Sequence, residues 1–167
     1  KAHILASYGL LNYPSFGGAY ARIGIALYGV LSRYADESTC PIHLTPVLSL
    51  RARVAIVKDL LPGESAGYGL RFTAHRKCRI AVLTIGYADG LPRALSDGKG
   101  RALLHGCYVP IIGVCMDQTI VEVTGLDNVR QGDIATFIGR SGEQELIAYD
   151  IAEAVGTITN EILSRFG

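Results

Sequence analysis

Apolar and polar residues alternate along the middle of the chain with a period of two. Between residues 48 and 56, an apolar side chain occupies every second position. This alternation is typical of a strand with one face on a core and the other in water. Similar short runs, bounded by turns, predict further strands at residues 79–85, 102–104, 109–114, 119–123 and 133–138. Regularly spaced short strands favour an antiparallel sheet or barrel.

The two ends of the chain have different patterns. Short apolar runs at residues 3–7 and 21–27, joined by a glycine-containing loop, are typical of consecutive parallel strands in an α/β barrel. Residues 34–46 are polar and contain two prolines, which predicts a linker. Near the C-terminus, Asp150 is expected to cap a helix over residues 151–155 that Gly156 ends, and a last helix is expected over residues 160–165.

These elements predict two regions that together make an α+β protein. Residues 1–40 are interpreted as an α/β barrel remnant, containing the last strands of a TIM-like barrel. Residues 41–167 are interpreted as a mostly β C-terminal domain with terminal helices. Because Lys1 opens within a structured-looking segment, we expect the chain to be part of a longer protein.

Composition excludes several classes of protein. Hydrophobic residues make up 49% and charged residues 19%, which fits a globular chain with an ample core. The net charge of +1 gives no reason to expect nucleic acid as a partner. No apolar run is long enough to span a membrane. The four cysteines form no Cys-x-x-Cys pair and the histidines lack metal-ligand spacing, so no metal site and a reducing, cytoplasmic compartment are expected.

Tyr68 is the first candidate for chemistry. It lies between Gly67 and Gly69, shortly after a Leu-Pro-Gly turn and at the start of a strand-like run. Flanking glycines permit unusual backbone angles and leave the ring unshielded by neighbouring side chains. Taken alone, the pattern favours a tyrosine that packs its ring on the core.

A second candidate is a phosphate-binding site in the predicted barrel remnant. Ser7 supplies a hydroxyl, and Gly24 permits close backbone approach with its own N–H and that of Ile25 available. Arg22 lies on an otherwise apolar strand and needs an acceptor if it is buried. The alternative is an arginine whose guanidinium reaches the surface.

Co-ordered motifs along the chain resemble a known family. They are Ser7, Arg22-Ile23-Gly24-Ile25, Leu27-Tyr28-Gly29, Gly67-Tyr68-Gly69, Gly86-Tyr87-Ala88-Asp89-Gly90 with Arg93, Gly113-Val114-Cys115-Met116-Asp117-Gln118, Gly132-Asp133, and Gly156-Thr157-Ile158 with Glu161. Together they resemble the C-terminal part of the alanine racemase family, whose members use pyridoxal phosphate. The resemblance spans nearly the whole chain.

The resemblance assigns the cofactor contacts. Ser7 and the backbone of Gly24 and Ile25 are similar to the family's phosphate-binding groups. Arg22 resembles the partner of the pyridine nitrogen, with His3 holding the guanidinium from behind. An arginine cannot accept the proton that a carboxylate would share with the ring, so the cofactor becomes a weaker electron sink. We expect this to favour rapid reprotonation over transamination or elimination.

The resemblance also assigns groups around the substrate. Tyr68 resembles the base that works on one face of the substrate Cα, opposite the lysine that binds the cofactor. A free tyrosine has a pKa near ~10, so such a base needs nearby cations. In the family this tyrosine reaches the active site of the other subunit, which implies a homodimer. Met116, also from the second subunit, resembles the residue whose backbone meets the substrate carboxylate. Tyr87, Arg93 and Asp117 resemble the surroundings of the access corridor, although Tyr87 and Arg93 equally fit plain turn residues.

The chain departs from the family in two ways. The cofactor lysine is absent, so an N-terminal barrel segment carrying it is expected to come from elsewhere. Asn160 occupies a position where the family usually has tyrosine, which frees volume and adds an amide able to bond a hydroxyl. This predicts L-serine as a substrate beside L-alanine. It also resembles the serine racemases of glycopeptide (vancomycin) resistance, which join a membrane domain to the catalytic domain.

Alternatives remain open at this level. Asn160 also fits neutral drift near a helix start in a strict alanine racemase. A related barrel-plus-β-domain amino-acid decarboxylase needs interface Cys and Asp residues, but Cys115 and Asp117 have the wrong neighbours for it. A non-catalytic β module that dimerises or binds is the third class.

Overall fold

The computed structural model describes residues 3–16, 18–37 and 41–166. Lys1, Cys40 and the expected boundary at residue 40 lie outside them. The strands are β1 (Leu50–Leu60), β2 (Ser65–Ala66), β3 (Phe72–Thr73), β4 (Cys78–Leu83), β5 (Arg101–Leu104), β6 (Cys107–Val114), β7 (Thr119–Glu122), β8 (Ile134–Ser141) and β9 (Gln144–Leu146). The α-helices are α1 (Ser7–Asn12), α2 (Tyr34–Glu37), α3 (Ala148–Val155) and α4 (Thr159–Ser164).

Six strands close into an antiparallel barrel in the order β1-β4-β7-β6-β5-β8, with β8 pairing back to β1. Closure depends on the length of β1, which pairs with β8 through residues 50–53 and with β4 through residues 54–60. The short strand β9 extends β8 beyond the barrel. A closed barrel leaves no long unpaired strand edge. The prediction of a mostly β domain is confirmed.

The alternation in β1 holds only over its first half. Ala52 and Val54 are buried, as expected from the period of two. The register to β4 then shifts between Val54 and Ile56. As a result Ile56 is 43% exposed, and Val57 packs against the core in its place. The expectation that Ile56 faces the core is therefore wrong, because a bulge inserts one residue and reverses the faces that follow it.

The barrel strands also bury apolar side chains on a second face. In β4, Ala81 belongs to the main core, whereas its neighbour Ile80 packs in a separate cluster. Successive strand residues point to opposite faces, so this second cluster lies on the other side of the sheet. Its buried members are Leu60, Ala74, Cys78, Ile80, Ile112 and Ile120. The hairpin β2–β3 covers it with Ala66 and Phe72.

The two strands expected near the N-terminus are much shorter than predicted. Their pairing is reduced to one parallel bridge between Ala6 and Arg22, with the Arg22 N–H donating to the Leu5 carbonyl at 2.9 Å. Ser7 already begins α1, and Ile25–Tyr28 form a 3₁₀ turn. Parallel strands gain their stability from neighbours on both sides.

The predicted linker contains one ordered piece, since Tyr34–Glu37 form α2 and residues 41–49 have no regular structure. The residues before α2 are held by the C-terminal helices. The Leu31 N–H donates to the Tyr149 hydroxyl at 2.6 Å, and the Thr159 hydroxyl donates to the Leu31 carbonyl at 2.5 Å. The terminal helices thus fasten the N-terminal segment to the barrel.

The terminal helices agree closely with the sequence. Asp150 accepts a hydrogen bond from the Ile147 N–H at 2.7 Å, but it does so from inside the first turn, because α3 begins at Ala148. Gly156, with φ +73°, ends that helix as expected. The last helix, α4, begins one residue earlier and ends one residue earlier than predicted.

Candidate functional site

Tyr68 lies at the exposed tip of a β-hairpin. Strands β2 and β3 pair through Ala66 and Phe72, so residues 67–71 form the connecting tip. Gly67 and Gly69 have φ values of +81° and +66°, which glycine adopts without steric cost. Tyr68 begins a short 3₁₀ turn instead of the expected strand, and it is 54% exposed. The interpretation in which its ring packs on the core is therefore wrong.

A cavity of about 270 Å³ separates this tip from residues 93–99. The end of β6 also contributes to its lining, and Tyr68 and Arg93 both line it. Arg71 and Lys99 add two more cations. Among the described residues that line it, Asp97 is the single carboxylate, and it pairs with Arg71 at 2.7 Å. The surroundings of the Tyr68 side chain are thus electropositive.

Sequence reasoning did not identify Arg71, Asp97 or Lys99 as part of this site. Asp97 lies in a left-handed turn with φ +63°, next to Gly98. That turn signal predicts a loop but not what the loop faces. Only the packing of the hairpin beside β6 brings the residues together.

The turns that carry Met116 and Tyr87 are joined through their backbones. The Tyr87 N–H donates to the Cys115 carbonyl at 2.9 Å, and the Ala88 N–H donates to the Met116 carbonyl at 2.8 Å. Gly86 allows this approach, because a Cβ there would lie 2.4 Å from both carbonyl oxygens. Met116 is 51% exposed, and in the described part of the chain its own N–H has no acceptor. That N–H is free to meet a carboxylate, and the neighbouring Asp117 is also exposed.

The expected phosphate-binding residues come together in the N-terminal segment. Ser7 is 4% exposed, and its Oγ accepts hydrogen bonds from the Gly24 N–H at 3.0 Å and the Ala26 N–H at 3.3 Å. The Gly24 N–H is therefore engaged, contrary to the expectation that it is available. With both lone pairs used, the Ser7 hydroxyl retains its proton for an external acceptor.

The geometry around Ser7 fits a phosphate. A Cβ built on Gly24 would meet nothing within 4 Å, so there is open space directly against the backbone. Arg22 donates to the Ile4 carbonyl at 3.2 Å, and within the described residues it forms no ion pair. His3 and Arg22 line one shallow cavity of about 420 Å³. Ser7 does not line this cavity, but the bridge between Ala6 and Arg22 keeps its hydroxyl on the adjoining backbone.

Asn160 lies apart from both cavities. It is exposed on the first turn of α4 and lines neither the Tyr68 cavity nor the one beside Arg22. Its neighbour Thr159 donates its N–H to the Ser32 carbonyl at 3.1 Å, which ties this helix to the N-terminal segment. Asn160 therefore lies on a helix that is tied to the segment around Ser32, outside both cavities.

Two further findings concern metal and membrane. Among the described residues, no three of His, Cys, Asp and Glu gather in a way that could hold a metal ion. None of the helices within residues 3–16, 18–37 and 41–166 combines the length and the apolar character needed to span a bilayer.

Comparison with known proteins identifies the family. Residues 47–167 match the model of the alanine racemase C-terminal domain. The chain belongs to this family. It superposes on an alanine racemase of Bacillus anthracis with bound L-Ala-P at a TM-score of 0.91, with 34% identity over 99% of this chain and 42% of that one. An alanine racemase of Bartonella henselae with covalently bound pyridoxal phosphate gives a TM-score of 0.86, with 33% identity over 99% of this chain and 44% of that one.

An amino-acid racemase of Enterococcus faecalis is 45% identical over 166 residues, which are 99% of this chain and 23% of that protein. The chain thus spans less than half the length of each of these relatives. The cofactor expected from the resemblance is confirmed for the alanine racemase family.

Proposed function

We propose that this chain is the C-terminal part of a pyridoxal-phosphate-dependent racemase that interconverts the L- and D-forms of serine and alanine. Tyr68 acts as one of two bases in this proposal. The observation that carries it is the 54% exposed Tyr68 beside a cavity lined by three cations and one carboxylate. A base that serves a neighbouring site has to project from its own domain, and Tyr68 does so at the hairpin tip.

The separation of the candidate residues supports a homodimer. Tyr68 and Arg93 line one cavity, and His3 and Arg22 line another. In a dimer whose site is shared, the Tyr68 tip and the Met116 turn of one subunit approach the Ser7–Arg22 region of the other. Each site then needs both chains. We further propose that residues 1–40 complete a cofactor-binding barrel whose lysine lies on a preceding segment.

The cofactor supplies the electron sink that makes the α-proton of the substrate labile. In our proposal Ser7 donates its hydroxyl proton to the phosphate alongside the Ile25 N–H, and Gly24 contributes the open space beside its backbone. Arg22 would hold the ring nitrogen, with His3 behind it, and a guanidinium offers that nitrogen only donors and no acceptor for a proton. Tyr68 removes or returns the α-proton on one face of Cα, and the lysine does so on the other.

The proposal that serine is a substrate rests on Asn160 and on the name of one relative. An exposed amide on α4 offers a hydrogen bond to a substrate hydroxyl. The Enterococcus faecalis relative, at 45% identity, is named an amino-acid racemase and not an alanine racemase. We propose that the parent protein works in the cytoplasm, is anchored through a preceding membrane domain as in the glycopeptide-resistance racemases, and supplies D-amino acids for peptidoglycan.

A chiral assay on the full-length protein loaded with pyridoxal phosphate tests the proposal. L-serine and L-alanine are supplied separately and the D-product is followed with time. Tyr68→Phe is expected to lower kcat by roughly 10²–10⁴-fold, the usual contribution of a positioned acid–base group. Tyr108→Phe is the matched control, because Tyr108 is 41% exposed on β6 and bonds the Glu145 carbonyl away from the cavity.

The outcomes separate the candidate functions. Equal activity of Tyr68→Phe and the parent protein would remove Tyr68 from the mechanism. D-alanine formation without D-serine would favour a strict alanine racemase. Cofactor binding is measured by the visible absorbance of pyridoxal phosphate. If the full-length protein does not bind the cofactor, a non-catalytic β module is favoured.

A further inference from the structure

We propose that the Arg71–Asp97 ion pair is a positioning device that fixes the hairpin tip carrying Tyr68. This inference rests on the proposed function, in which the Tyr68 oxygen has to meet the substrate Cα. Arg71 ends the tip, three residues after Tyr68, and Asp97 lies on the far side of the cavity. Their side chains meet at 2.7 Å and so bridge its two walls.

The tip has little else to hold it. Gly67, Gly69 and Leu70 all have positive φ values, and the +51° of Leu70 is unfavourable for a residue with a Cβ. Inside the tip the Leu70 N–H donates to the Gly67 carbonyl at 3.2 Å. The Tyr68 and Leu70 side chains are 54% and 66% exposed, so core packing does not fix them. Such a segment opens readily unless another element restrains it.

Asp97, by contrast, is held firmly on the barrel. The Gly98 N–H donates to the Ile111 carbonyl at 2.8 Å, and the Val114 N–H donates to the Ser96 hydroxyl at 2.9 Å. The Ile111 carbonyl and the Val114 N–H both belong to β6. The side chains of these two residues are buried. The turn that carries Asp97 is therefore tied to a rigid strand, and the ion pair transfers that rigidity to Arg71.

The pair is too exposed to matter much for global stability. The Arg71 and Asp97 side chains are 59% and 41% exposed. Ion pairs in such positions contribute little to folding, because water screens them. Proton transfer is far more sensitive, since a displacement of about 1 Å can reduce a rate by about 10²-fold. The expected consequence of the pair is accurate placement of the phenol.

Kinetic isotope effects and amide exchange test this inference together. Arg71→Gln, Asp97→Asn and the double variant are made in the full-length protein, and Asn suits the left-handed backbone at position 97. Each is expected to lower kcat at least about 10-fold with little change in KM. The double variant should be no worse than either single one, because both remove the same interaction.

The isotope effect distinguishes positioning from loss of folded protein. With α-deuterated substrate of each hand, the primary effect should rise only in the direction in which Tyr68 takes the α-proton from Cα. A smaller fraction of active sites would leave it unchanged. Amide exchange across residues 67–71 should accelerate in the variants, and Arg71→Lys should restore part of the loss. Arg140→Gln is the control, because Arg140 pairs with Glu145 at 3.3 Å on β8–β9 away from the cavity.

The two proposals fail in different ways. If Tyr68→Phe abolishes racemisation but Arg71→Gln changes neither exchange nor isotope effect, the positioning inference is overturned and the role of Tyr68 stands. If exchange accelerates while kinetics match the parent, the tip is held by the pair but Tyr68 is not the base. If Arg140→Gln changes exchange and kinetics as much as Arg71→Gln does, the Arg71–Asp97 pair is a general structural contact and the positioning inference is overturned.

Discussion

Asn160 is the residue on which substrate choice depends in our proposal. It is exposed on the first turn of α4, where added bulk meets little resistance from its own chain. Its neighbours Thr159 and Ile162 are fully buried and anchor the helix. A change at Asn160 should therefore alter the site without unfolding the helix.

Asn160→Tyr is expected to lower kcat/KM for serine relative to alanine by about 10-fold. The reason is the loss of one hydrogen bond to the substrate hydroxyl, worth roughly 0.5–1.5 kcal/mol, and the reduced volume. Both substrates are assayed in the same preparation, so the ratio cancels differences in active fraction. Ser164→Tyr, at the other end of α4, is the control for an added ring. An unaltered ratio would remove Asn160 from substrate selection.

The carboxylate of Asp133 makes the free energy of unfolding depend on pH in the acid range. The Arg130 N–H donates to the Asp133 carboxylate at 2.9 Å, and the His105 ring lies 2.8 Å from the same carboxylate. The Arg130 hydrogen bond, with a smaller contribution from His105, holds the pKa of Asp133 below its usual value of 3.8. A lowered folded-state pKa stabilises the fold fully above the unfolded pKa, and that stability is lost as the pH falls through the folded one.

Asp133→Asn should therefore lower the free energy of unfolding at pH 7 and reduce its decline on acidification below pH ~4. Urea unfolding at pH 7, 5 and 3 provides the measurement. Glu143→Gln serves as the control, because Glu143 is exposed in the β8–β9 turn. Parallel curves for Asp133→Asn and the parent would contradict the linkage.

At the scale of elements, two glycines without positive φ have opposite surroundings. A Cβ on Gly86 would lie 2.4 Å from the backbone oxygens of Cys115 and Met116, whereas a Cβ on Gly24 would enter open space. Gly86 therefore lets the turn at residues 87–89 dock on the Met116 turn. Gly24 instead keeps space free beside Ser7.

Gly86→Ala is expected to destabilise the protein by roughly 3 kcal/mol, since the backbone has to move to relieve the overlap. Gly24→Ala should leave the free energy of unfolding within about 0.5 kcal/mol but weaken pyridoxal phosphate binding. Thermal unfolding and cofactor titration are measured on both variants. Unchanged stability of Gly86→Ala, or unchanged cofactor affinity of Gly24→Ala, would contradict the respective role.

At the scale of the whole molecule, one buried hydroxyl connects the N-terminal segment to the C-terminal helices. The Tyr149 hydroxyl accepts the Leu31 N–H at 2.6 Å, and Leu31 is 0% exposed. Tyr149 also packs edge-on against Tyr34 with ring centroids 5.6 Å apart. The fold therefore places residues on either side of the barrel sequence in direct contact.

Tyr149→Phe should cost about 1–3 kcal/mol, because it leaves a buried N–H without its acceptor while keeping the ring contact. Urea unfolding measures the loss, and faster amide exchange at Leu31 localises it. Tyr108→Phe removes an exposed hydroxyl and should change stability by less than about 0.5 kcal/mol. Similar losses for both variants would mean that the hydroxyl at position 149 has no special role.

The sequence by itself determined the six barrel strands, the terminal helices and the family. Strand alternation, the glycine that ends α3 and the co-ordered motifs are local signals, because each depends on residues a few positions apart. Through the resemblance it also grouped Ser7 with Gly24. The catalytic and binding roles assigned to these residues stay predictions.

Only the tertiary structure decided how those local elements meet. The bulge after Val54 exposes Ile56, the barrel closes through β1 and β8, and the hairpin packs on a second apolar face. The same packing brings Arg71 across the cavity to Asp97, 26 positions further along the chain. Such contacts depend on strand order and register, which are set by the energy of the whole barrel and leave no periodic signal in the sequence.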